Sequence, residues 1–157
     1  MSALDELIST PLTVDIKEPA KKSLPKGRAR ATLVEYGTAR EVVGKASGQL
    51  WEILPCTFLV EGQPYNAEVG RESLRIRYNL WVALDDNRGI DTGKKEDGND
   101  KNSSLARFFK AFGRDTMGTS FSDLVGSDVT LGFEPEVDNR TGEQTGYLIG
   151  TFVGKAS

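Results

Sequence analysis

The sequence predicts a mainly β fold: a five-stranded Greek-key barrel with one helix between strands 3 and 4. Three observations carry that prediction. Strand-like segments with alternating or continuous apolar character recur at 28–36, 49–62, 74–84, 127–137 and 147–154. Only residues 102–115 show a clear helical period, with Leu105, Phe108, Phe109 and Phe112 at i, i+3, i+4 and i+7. Glycines at 37, 44, 132 and 150 break the strand segments where a small closed sheet needs kinks to turn its corners. The same order also accommodates an open α+β sheet.

Residues 1–26 read as an arm. Leu4, Leu7 and Ile8 suit a turn or two of helix, and Pro11, Pro19 and Pro25 stop anything longer. Its end is basic, through Lys17, Lys21, Lys22 and Lys26. The body, residues 27–154, opens with RARATLVEY, which sets Ala29, Ala31 and Leu33 against Arg28, Arg30, Thr32, Val34 and Tyr36. REVVGKA continues that strand after a bend at Gly37. In QLWEILPCTFLVEG, Pro55 lacks an N–H and so predicts an edge position or a bulge. That leaves open which of Trp51 and Phe58 points outward. LRIRYNLWVAL, the third strand, divides into Leu74, Ile76, Tyr78, Leu80, Val82 and Leu84 on one face and Arg75, Arg77, Asn79, Trp81 and Ala83 on the other.

Residues 85–101 are polar, acidic and glycine-rich, and read as a mobile loop. The helix follows, capped by Asn102 or Ser103 and closed by Gly113, with Arg107, Lys110 and Arg114 on its solvated face. Val129, Leu131 and Phe133 point the fourth strand inward. A turn-rich connection at 138–146 leads into YLIGTFVG, the fifth.

At 157 residues and 38% hydrophobic content the chain suits one globular domain. Its strand-length apolar runs give no membrane span, and its acidic start does not resemble a secretory leader. The lone Cys56 cannot form an internal disulfide, which suits a reducing cytoplasm. With no histidine, the commonest general base and a common metal ligand are missing. Cys56 sits in an apolar strand, and the acidic residues of 85–101 lack the spacing of a calcium loop. No catalytic residue, metal or cofactor is therefore expected.

The strand order, with the helix inserted between the third and fourth strands, is that of an OB-fold. GRARATLVEY, LPCTFLVEGQPYN, LARFFKAFGRD and DLVGSDVTLGFEPEVDNRTGEQTGYLIGTFV together resemble small phage-encoded OB-fold proteins that bind single-stranded DNA. The resemblance spans residues 27–153. It implies a role in DNA replication or recombination in the host cytoplasm, with replication or recombination proteins as partners and self-association as a further expectation.

The candidate interface is the outward row of the third strand. Guanidinium groups suit phosphates and an indole suits an unstacked base, so Arg75, Arg77 and Trp81 form its centre. Trp51, on the neighbouring strand, is a second stacking platform if it faces out; Arg71, Tyr65 and Lys45 are loop additions. Net charge is −3, so attraction has to be local. The alternative is a structural or protein-interaction β-barrel, a virion component or adaptor, with Trp81 in a protein-binding patch.

Overall fold

The computed structural model describes residues 8–13, 15 and 24–156. The lysines at 17, 21 and 22 and the turn through Leu4 and Leu7 lie outside the described residues. Six strands are present: β1 Gly27–Tyr36, β2 Arg40–Val43, β3 Leu50–Glu61, β4 Ser73–Leu84, β5 Asp128–Val137 and β6 Gln144–Lys155. Helix α1 spans Pro64–Val69, helix α2 spans Ser103–Ala111, and a 3-10 turn covers Phe121–Leu124. No helix among the described residues is long and apolar enough to cross a membrane.

The strands hydrogen-bond in the order β1–β5–β6–β4–β3, and β3 returns to β1, so the sheet closes into a ring. Every pairing is antiparallel except the β4–β6 seam, where Arg77 stands opposite Ile149. Close approach there depends on Gly150, because a Cβ at that position would lie 3.0 Å from Cβ of Tyr78. An added methyl group would have to push the two strands apart.

The first departure from expectation is that REVV is a strand of its own. β2 pairs only with β3, beside the end of β1, making six strands rather than five. The reason lies at Gly37–Pro55. β1 pairs with β3 as far as Cys56, β2 begins opposite Ile53, and the Pro55 carbonyl accepts the Gly37 N–H at 2.8 Å. The missing proline donor thus faces the break between β1 and β2, where no ladder bond is lost. Pro55 is neither on an outer edge nor in a bulge of β3, and its other side pairs with Asn79 in unbroken β4 register.

The second departure is α1, which Pro64 starts and Gly70, at φ 68°, ends. Its capping box joins Gln63 and Asn66; the buried Asn66 amide also donates to the Val60 and Arg71 carbonyls. Leu24 belongs to the core as well, so the body begins slightly before residue 27.

The core fills the ring. Leu33, Ile76, Leu80, Val129 and Leu131 are almost fully buried, as the alternation predicts, and so is Phe58, whose side the sequence leaves open. Helix α2 adds Leu105, Phe108 and Phe109, with Phe108 stacked on Tyr78 at 6.1 Å and Phe112 on Phe58 at 6.4 Å. Removing a ring at Phe108 should cost about 3–5 kcal/mol of stability. Gly113, at φ 73°, closes the helix as expected. Asn102 does not cap it through its side chain. Its amide instead acts as a substitute strand residue: Oδ1 accepts the Ala83 N–H at 2.7 Å, and Nδ2 donates to the Ala83 carbonyl at 2.9 Å.

Candidate nucleic-acid interface

The outer face of β3–β4 is built by two strands in continuous register from Leu50–Leu84 to Glu61–Ser73. Along β4, Ser73, Arg75, Arg77 and Trp81 are exposed, whereas Leu74, Ile76, Leu80 and Val82 are buried. Trp81 retains 45% of its surface. Trp51 lies diagonally across the ladder, opposite Ala83, on the same face. The two indoles meet edge to face, with centroids 6.0 Å apart and planes 73° apart. Ile53 and Ala83, their same-face neighbours by register, are buried and stand apart from the main core cluster. The indoles therefore rest on a small apolar floor of their own, and that fixes Trp51 outward. Phe58, the other candidate, is wholly buried.

Four and six residues back along β4 from Trp81 lie the guanidinium groups of Arg77 and Arg75. Arg77 meets the half-buried Glu136 of β5 at 3.6 Å and Arg75 meets the exposed Glu35 of β1 at 3.5 Å. Such pairs contribute little, about 0–1 kcal/mol, so a phosphate can displace the carboxylate at small cost. Arg71 follows α1 and shares a notch with Arg75. Lys45 is exposed in the turn joining β2 to β3, beyond the Trp51 end of the face.

Tyr65 does not join this set. Its ring packs edge-on against Phe133 at 4.7 Å and its hydroxyl donates to the Pro25 carbonyl at 2.6 Å. It is buried because QPYN, which reads as a loop, is the first turn of α1 and turns the phenol into the core. Burial also raises its pKa.

Several aspartates of residues 85–101 serve as turn formers. Asp85 accepts the Asn87 and Gly89 N–H groups, Asp91 accepts that of Gly93, and Asp97 accepts that of Asn99. The bonds from Gly93 and then Lys101 hold the Asp91 carboxyl below the usual carboxylate range. Lys101 also reaches Gln49, and Arg88 reaches Glu41 at 3.1 Å, which ties the segment to β2 and the start of β3.

Burial pushes the Cys56 thiol up to about 12, which keeps it protonated. Among the described residues no three His, Cys, Asp or Glu side chains converge on one point.

Sequence reasoning missed two outward aromatics of β6. A register shift pairs Gly132 with Phe152 but Phe133 with Gly150, so one extra residue reverses the alternation and turns Phe152 outward. Phe152 lies against Gly154, with Arg28 over its ring at 5.0 Å. Tyr147, 73% exposed, stands across the seam from Arg75. The turn signals at 138–146 mark where β6 begins, but only the β4–β6 pairing brings Tyr147 to this face.

No family model, curated protein or solved structure matches the chain.

Proposed function

We propose that this protein is a non-catalytic single-stranded-DNA-binding protein built on an OB-fold. β1, β3, β4, β5 and β6 supply the five strands, with β2 as an added ribbon between the first two. Their order, the single parallel seam and α2 between the third and fourth support that assignment. The oligonucleotide face of such a barrel is its second and third strands, here β3 and β4.

One observation carries the reading: the Trp51–Trp81 pair heads a row containing Arg77 and Arg75 on that face. The indoles stack exposed bases, each worth about 1–3 kcal/mol, and the guanidinium groups neutralise the backbone without reading sequence. The row suits a strand whose bases are free, as in phage DNA replication or recombination in a host cytoplasm.

Titration with oligo-dT across ionic strengths tests it. Tryptophan emission should be quenched, and affinity should fall with salt at a log–log slope of about −0.7 per neutralised phosphate. Duplex DNA of equal length should bind more weakly. No quenching at low salt with excess long oligo-dT would assign the indole pair to a protein partner instead.

A further inference from the structure

We propose that the notch at the β4–β6 seam, with Tyr147 as a further stacking ring, is the second end of the DNA track. This rests on the single-strand reading above and extends it from Arg75 to Arg71 and Tyr147, which that reading does not use.

The seam is paired only at Arg77–Ile149. Below that point the strands part around a cavity of about 340 Å³, lined by Leu24, Arg71, Arg75 and Tyr147 among others. Leu24 and Leu148, both buried, give it an apolar floor. Arg71 makes no salt bridge among the described residues, and Arg75 has only its loose contact with Glu35. Two cations and an exposed phenol ring around an apolar floor match the chemistry of one nucleotide: phosphate, sugar and base.

Position strengthens the assignment. Arg75 and Tyr147 line the same notch, and Tyr147 is 73% exposed beside the buried Leu148. Six residues of β4 separate Arg75 from Trp81, about 20 Å at the usual strand rise. The face therefore has an aromatic group at each end, with Arg77 between them and Arg75 at the notch.

The test compares dT12, which can reach both ends, with dT3, which cannot. Tyr147→Ala should weaken dT12 binding about five-fold or more, the lower end of one lost base stack, and leave dT3 unchanged. Tyr147→Phe, which keeps the ring, should bind dT12 like the wild type. Trp81→Leu serves as the control for the parent reading and should weaken both oligomers. If Trp81→Leu weakens dT12 while Tyr147→Ala stays within two-fold of wild type, the track ends before the notch and this inference is wrong. Equal losses on both lengths for Tyr147→Ala would also overturn it. If the wild type shows no binding or quenching with either oligomer, the single-strand reading itself fails.

Discussion

Two strands of this protein alternate arginine with apolar residues, RAR in β1 and RIR in β4, and the structure treats them differently. On the β1–β5 wall, Arg30 holds Asp128 at 2.8 Å, and Thr32 donates its hydroxyl to the same carboxylate. Arg28 lies over Phe152. On the β3–β4 wall, Arg75 and Arg77 reach their carboxylates only at 3.5 and 3.6 Å, and the neighbouring aromatics meet edge to face. Alternation decides which face a guanidinium takes. The strand across the sheet decides whether it is already occupied.

The largest test of that contrast compares the aromatics. Trp81→Leu keeps an apolar roof over Ile53 while removing the indole, and should weaken oligo-dT binding by about 5–150-fold, the range of one base stack. Phe152→Ala, on the other wall, should change affinity less than two-fold, because Arg28 already occupies that ring. Fluorescence or anisotropy titrations decide it. Equal losses for the two variants would erase the distinction between the walls.

The cations give the next effect. Replacing both Arg75 and Arg77 by Ala should lower affinity about ten-fold at low salt and flatten the log–log salt slope by about 1.4, for two lost phosphates. Replacing Arg28 and Arg30 together should leave the slope unchanged. A flatter slope for the second pair would move the DNA to the β1–β5 wall.

How far the sequence discloses this contrast depends on the range of the interactions. The faces of β4 are legible because period-two alternation is local, and residues 105–112 reveal α2 through its period in the same way. Trp51 stays ambiguous in the sequence, because Pro55 obscures the phase of β3 until the break between β1 and β2 accounts for it. Tyr65 misleads because a helix of six residues offers too little periodicity to announce its buried side. Phe152 and Tyr147 need the β5–β6 register shift and the β4–β6 seam, both contacts between distant segments. The carboxylates opposite each arginine are equally remote: Asp128 is 98 residues from Arg30. No local pattern reports them.

Acid should expose the tighter wall. The Asp128 carboxyl lies below its ordinary value of 3.8, first because Thr32 donates to it and then through Arg30, with desolvation opposing. A carboxylate depressed on folding stabilises the native state above its unfolded pKa, and that stability is lost as pH falls through the folded value. Asp128→Asn should therefore cost about 1 kcal/mol at pH 7, discounted for partial exposure, and much less near pH 2. Urea denaturation at the two pH values measures this. A cost independent of pH would mean that packing, not charge, holds β1 to β5.

The smallest effect is also the most direct measure of how loosely the binding wall is held. Glu35 and Glu136 compete with phosphate for Arg75 and Arg77; three of the four side chains are exposed and Glu136 is half-buried. Replacing both glutamates by Gln should leave stability within about 0.5 kcal/mol, because exposed pairs contribute little. The same change removes two negative charges within reach of the DNA backbone. Oligo-dT affinity should then rise two- to five-fold at low salt, with the gain shrinking as added salt screens the missing repulsion. Loss of stability together with unchanged affinity would reverse the assignment, making these ion pairs structural ties of the ring and leaving the indoles as the main hold on DNA.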